Sequence, residues 1–263
     1  MPSETAYDLT AGLRGLGGGR VWSLMISLFG DLAQGEGDTI QGPVLSAIMA
    51  ALDVRPEAAR VALHRLRNDG WITSTKMGRI SHHGLTPFGR LQSAEASPRI
   101  YSTPDDVPKY WQLILLETPE ADAQSAAIEA GFVQILPRVF VGAETSEPPQ
   151  GAVALQGTAA VPDWLRNEVT PAALREEYAL LEKALSSLCD ALPLAHTPSP
   201  TEIAVLRCLV VHNWRRLVLK HPVVPSALSR HDAPAHKCHV MVADLLARFP
   251  RPTLDEIEQD QAG

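Results

Sequence analysis

Arginine and histidine recur through one stretch of this chain at a spacing that suits contact with a polyanion. Between Arg55 and Arg67 the sequence RPEAARVALHRLR carries Arg55, Arg60, His64, Arg65 and Arg67. Glu57, Arg60, Val61, His64 and Arg67 stand three and four residues apart, so on an α-helix they share one side. Arginine on such a face can hold guanine through two parallel hydrogen bonds, which a lysine point charge does less selectively. A face this narrow fits a DNA major groove. Arg60 and His64 are therefore candidates for base edges, and Arg55, Arg65 and Arg67 for phosphates. Lys76 and Arg79 follow at the tip of a predicted hairpin, within reach of the backbone beside a groove. An ordinary solvated helix and hairpin is the competing explanation.

The elements that must position these side chains can be read from the same pattern. Ala59, Ala62, Leu63 and Leu66 recur on the other side of the helix and are expected to be buried. Pro56 suits the first helical turn, and Asn68-Asp69-Gly70 supplies turn residues at the end. Trp71–Thr75 and Arg79–Leu85 read as strands joined near Met77-Gly78. Upstream, Arg20–Ala33 has a helical pattern through Val21, Leu24, Met25, Leu28 and Leu32. A polar loop, Gln34–Gly42, and a short helix, Val44–Leu52, complete the approach. Three helices followed by a hairpin is the order of a winged helix-turn-helix, expected over residues 20–101. Thr86 is placed to cap a further helix from Pro87 to Ala94. Residues 1–19, small and glycine-rich, read as a mobile tail, and the acidic Thr253–Gly263 as a fraying end.

Beyond the linker at 102–108 the pattern changes. Trp111–Thr118 is a dense apolar strand, and a helix runs from Pro119 to Ala130 with Gly131 at its end. Phe132–Leu136, Arg138–Gly142 and Ala152–Gln156 read as strands. Residues 105–160 are thus expected to form a ferredoxin-like α+β domain. Pro171–Leu192, Thr201–Leu219 and His236–Phe249 carry apolar residues at helical spacing, so residues 163–252 are expected to be a helical domain serving dimerisation or effector binding. The fold class is α+β in three modules.

Composition narrows the function. Of 263 residues, 45% are hydrophobic and 20% charged, which excludes wholesale disorder. No apolar run reaches the length of a membrane span, and the amino end lacks the layout of a secretion signal. Three widely spaced cysteines, Cys189, Cys208 and Cys238, do not suggest a disulfide framework, so a cytoplasmic protein is expected. The net charge of −7 argues against a nucleic-acid partner until its distribution is seen. Residues 54–101 hold eight Lys/Arg against three Asp/Glu, whereas residues 102–263 hold thirteen against twenty-one. Phosphate contact depends on the local balance.

Other constellations are weaker. Trp214-Arg215-Arg216 could stack an adenine and hold phosphates of an effector, or bury the tryptophan and salt the outer helix face; Arg138 is similarly ambiguous. His231, His236, Cys238 and His239 invite a metal hypothesis, with His236 and His239 three apart. A fourth ligand is not obvious and no metal is assigned. Glu117 closes the strand where some ferredoxin-like nucleases carry a metal-binding acid, but one carboxylate is ordinarily solvent-facing. There is no GxxxxGK[ST] loop and no GxSxG elbow, so neither an enzyme nor a cofactor is expected.

Several stretches together resemble the PaaX-like regulators, the repressor family of phenylacetic-acid catabolism. In the first module these are Ser27–Asp31, Val61–Leu66, Gly70-Trp71-Ile72, Gly78–Ser81, Leu85–Gly89 and Arg99-Ile100-Tyr101. Trp111–Pro119 and Gly131–Gly142 follow in the second, and His212–Leu217 with His221–Pro225 in the third. The resemblance implies a dimeric transcriptional regulator, usually a repressor, on a palindromic double-stranded operator and released by an aryl-acyl-CoA. Departures from the family pattern are His82, His83 and Gly84 in the wing, Glu57, Asn68 and Asp69 on the helix, and Asp232-Ala233-Pro234-Ala235 where relatives read Asp-Trp-Pro-Gly.

Overall fold

The computed structural model describes residues 10–16, 20–157, 161–192 and 198–262. Helices and two small antiparallel sheets make it a mixed α and β chain, as expected. Where three successive modules are expected, contacts divide the described residues into two compact units. The first takes the chain up to Tyr101, Lys183–Arg216 and the stretch from Asp244. The second takes Ser102–Glu182 and Leu217–Ala243. Residues 163–252 therefore contribute to both.

The amino-terminal stretch differs from expectation. Residues 1–9 and 17–19 lie outside the described residues, but Ala11–Leu16 is a helix (α1) rather than tail. Leu13 is buried and Arg14 donates to the Ala51 carbonyl at 2.7 Å, so one apolar anchor and one cation outweigh the glycines around them. Helix α2 (Val21–Leu32) buries Met25, Leu28, Phe29 and Leu32. Within the stretch read as polar loop, Ile40–Gln41 forms a two-residue strand (β1), too short for alternation to register. Helix α3 (Gly42–Ala51) has proline in its first turn. Helix α4 (Pro56–Asn68) and the strands β2 (Ile72–Met77) and β3 (Ile80–Leu85) follow as expected. The sheet order is β1-β3-β2, with Ile40 and Gln41 opposite His83 and His82. Thr86 accepts from the Gly89 N–H at 3.0 Å, the predicted cap. The helix it starts, α5 (Pro87–Ile100), runs past Ala94 and accommodates Pro98.

In the second unit, β4 (Trp111–Leu115), α6 (Ala121–Glu129), β5 (Val133–Leu136), β6 (Val139–Ala143) and β7 (Val153–Gly157) form an antiparallel sheet ordered β5-β6-β4-β7 with one helix. Ile114, Leu116, Phe132 and Phe140 are buried with Ala127 of α6. The pleat alternates, so Val141 turns to the other face and meets Leu165 and Val169 of α7 (Asp163–Val169) and Leu228. Pro137-Arg138 joins β5 to β6, and Arg138 adopts φ +66 there. The left-handed conformation is costly for arginine, but its Nε donates to the Leu116 carbonyl at 2.8 Å and its own carbonyl accepts from the Leu116 N–H.

Among the described residues that follow, four α-helices are α8 (Ala172–Ala191), α9 (Pro200–Val218), α10 (Pro234–Arg248) and α11 (Leu254–Ala262). The last overturns the expected fraying end. Thr253 and Glu256 form reciprocal capping bonds at its start, Ile257 is fully buried, and Asp260 accepts from the Ser199 hydroxyl and the Thr201 N–H. In the first unit α9 is tied to α2 by charge. The Arg207 guanidinium donates to both Asp31 oxygens at 2.8 and 2.9 Å and to the Phe249 carbonyl at 2.7 Å. Tyr101 adds a hydroxyl to Asp31 at 2.8 Å, and its own pKa is raised by burial and by that carboxylate.

Candidate nucleic-acid interface

Helix α4 is built on two sides that behave oppositely. Ala62 and Leu66 are buried against the core, whereas Glu57, Arg60, Val61, His64 and Arg67 all face solvent, Val61 at 70% exposure. Ala59 and Leu63, expected to be buried, are only partly covered, because they border an open cleft. Arg55 sits at the amino cap of α4 in extended conformation, and Gly78 at φ +62 makes the two-residue turn that brings Lys76 and Arg79 to the hairpin tip. Arg55, Arg60, His64, Arg65, Arg67, Lys76 and Arg79 are all exposed.

Their local ties differ. Arg60 is only loosely paired with Glu57, at 4.0 Å, with both side chains over three-quarters exposed; such a pair contributes little and is readily exchanged for another anion. His64 lies 3.2 Å from the Asn68 amide. Arg65 is the most constrained, its guanidinium stacked 4.6 Å over the Trp22 ring and donating to Asp69 at 3.3 Å. His83, which sequence reasoning left without a role, is buried in β3 with Nδ1 2.8 Å from the Ser74 hydroxyl. Burial, then the charges of Arg67 and His82, lower its pKa, so it is neutral near pH 7. A histidine on a predicted strand gives no sequence sign of which way it points.

The other candidates have structural partners. Trp214 is 3% exposed and its indole donates to the Ile100 carbonyl at 3.0 Å. Arg215, whose pKa is lowered by burial, donates to the Ser27 and Ser23 hydroxyls and the Ser23 carbonyl. Arg216 donates to the Leu16 carbonyl at 3.1 Å. Of the two explanations open for this trio, the first unit uses its tryptophan and Arg215 to hold α9 in place. Arg138 belongs to the second unit, where it supports the β5–β6 turn. Within the group His231, His236, Cys238 and His239, the His231 and His236 rings meet edge to face at 5.0 Å. The Cys238 thiol is buried, donates to the Tyr178 carbonyl and is pushed up to about 12, while His239 lies 2.8 Å from the Ser102 carbonyl. Among the described residues, no group of three or more His, Cys, Asp or Glu is placed to hold a metal ion, and Glu117 is solvent-exposed.

The fold and this face define an α and β protein that offers a helix and a hairpin, both cationic, to solvent. Comparison with known proteins gives the family. Residues 20–88 match the family model described as PaaX-like protein, and residues 170–254 match the PaaX-like protein C-terminal domain, together more than half of the chain. The chain belongs to the PaaX-like family. It is 28% identical to the transcriptional repressor PaaX of Escherichia coli (strain K12), over 81% of this chain and 74% of that protein. Among solved structures it is similar in fold to an uncharacterized protein, Rv0674, from Mycobacterium tuberculosis. There the TM-score is 0.56 and the identity 13%, covering 92% of this chain and 98% of that one.

Proposed function

We propose that this protein is a DNA-binding transcriptional repressor in which α4 is the recognition helix and the β2–β3 hairpin the wing of a winged helix-turn-helix. It acts as a homodimer on a palindromic operator, and an aryl-acyl-CoA relieves repression of an aromatic-acid catabolic operon. Arg60 and His64 read base edges; Arg55, Arg65, Arg67, Lys76 and Arg79 contact phosphates. The carrying observation is that all seven side chains are exposed, on a helix whose opposite side is buried and at the tip of a hairpin anchored by its buried base. Similarity to a transcriptional repressor supports the reading. The β5-β6-β4-β7 order supports a ferredoxin-like middle domain, since one helix-linked strand pair is split by a third, antiparallel strand. An exposed Glu117 with no metal-holding group of three around it among the described residues makes a nuclease the poorer reading.

Fluorescence anisotropy with a duplex from upstream of the gene, against a scrambled duplex, tests it. Arg60→Ala should cost about 1–3 kcal/mol on the specific duplex and little on the scrambled one, the mark of a base contact. Equal losses on both would remove Arg60 from base reading, and no preference in the parent protein would reject the regulator. Calorimetric titration with phenylacetyl-CoA tests the effector: heat, together with loss of duplex binding, is expected.

A further inference from the structure

A cavity of about 330 Å³ lies in the first unit, bordering the proposed DNA-reading face at Arg60 and Arg79. Its walls come from α3, from the start of α4 and from the beginning of β3. Met25, Leu45, Met49, Val54 and Leu63 make the lining mostly apolar. Arg60, Arg79 and the neutral His83 also border it. With Nδ1 of His83 held by Ser74, its Nε2 is left to face this space near Gly42. The volume sits at the lower end for small-molecule sites, which are characteristically apolar with a few convergent polar groups. It admits a body of one or two rings and not a nucleotide-bearing thioester, so it is distinct in ligand class from the acyl-CoA proposed above.

We infer that this cavity binds a small organic anion with an apolar body, and that the anion and DNA exclude one another because both engage Arg60 and Arg79. The chemistry follows from the lining. An apolar body gains by displacing water from methionine, leucine and valine side chains, and a terminal carboxylate or sulfonate meets two guanidinium groups. Arg60 is free to swing because its only close carboxylate, Glu57, stands 4.0 Å away in solvent. Once turned inward onto the ligand, Arg60 and Arg79 no longer point at a groove or a phosphate. A ligand with this differential affinity shifts the population away from the DNA-bound form. The exclusion rests on the DNA reading; the cavity itself does not.

The test uses 1-naphthalenesulfonate as probe and 1-naphthalenemethanol as its uncharged counterpart, titrated into the full chain by calorimetry. Binding of the sulfonate is expected, weakened roughly tenfold by Arg79→Ala, the worth of a charge-assisted hydrogen bond, and weaker by a similar factor for the alcohol. Two variants fill the cavity from opposite walls: Ala59→Phe, half-buried on α4, and Ala50→Trp, exposed on α3. Either, with its fold verified by thermal unfolding, should abolish probe binding. No heat with the parent protein, or heat unchanged in a folded filling variant, overturns the site. The upstream duplex is then titrated with and without saturating probe. A drop in duplex affinity supports exclusion, and unchanged affinity overturns it. Probe binding by a protein that binds no duplex keeps the cavity and rejects the repressor reading; duplex binding without probe binding does the reverse.

Discussion

A carboxylate that is 1% exposed persists only if its charge is answered, and Asp31 is answered by three groups. Arg207, itself 6% exposed, grips both oxygens, Tyr101 donates its hydroxyl, and Arg251 stands at 3.5 Å. Removing one partner from such a pair is far more damaging than never having built it, because the remaining charge is stranded away from water. Arg207→Ala should therefore destabilise the protein by about 3–5 kcal/mol, read as a lowered urea midpoint. Arg207→Met combined with Asp31→Leu should recover much of that loss, since apolar side chains carry no unanswered charge. A double variant no better than Arg207→Ala would show that the pair's packing, rather than its charge, matters. The pairing of these two residues is not legible in the sequence. Charged side chains are expected outside, and only the fold reveals that residues 176 positions apart are paired.

Elements show where sequence legibility begins and ends. The acidic composition of α11 suggests a fraying end, yet Thr253 and Glu256 stand at capping-box spacing and Ile257 is the apolar residue that docks it. Ile257→Ala should cost about 2–5 kcal/mol if the helix is integral to the first unit. Hydrogen exchange should then show faster exchange at the start of α9, where Asp260 holds Ser199 and Thr201. An Ile257→Ala protein as stable as the parent would return the segment to a fraying end. Helices α2 and α4 and the β2–β3 hairpin were legible because a buried stripe at helical period and a glycine at the turn each have one simple explanation. The exposed side of α4 was legible for the same reason, since burying Ala62 and Leu66 dictates where Arg60 and His64 must point. What the period could not convey was long-range: the β1 pairing, the inward His83, the Arg65–Trp22 stack and the cavity at Ala59 all depend on residues far away in sequence.

For the whole molecule the uneven charge has a measurable consequence. Residues 54–101 carry a net +5, whereas the full chain is −7, so affinity for a duplex must arise from a confined surface working against an acidic remainder. Binding should then weaken steeply with salt, as neutralised phosphates release counterions with a log–log slope of about −0.9 per contact. Arg55, Arg65, Arg67, Lys76 and Arg79 are the five proposed phosphate contacts of one protomer, so a half-site duplex should give a slope of roughly −4 to −5. A full palindrome should give about twice that if two protomers bind together, because each brings the same surface to its own half-site. Anisotropy titrations of both duplexes from low to physiological salt measure the two slopes directly. Equal slopes would mean that one protomer carries all the phosphate contact, and the dimeric repressor would have to be replaced by a monomeric binder. A doubled slope that falls to about −3.6 when Lys76, Arg79 and Arg55 are changed to alanine in both protomers, leaving two of the five contacts on each, would assign that contact to this hairpin and helix start rather than to basic residues elsewhere in the chain.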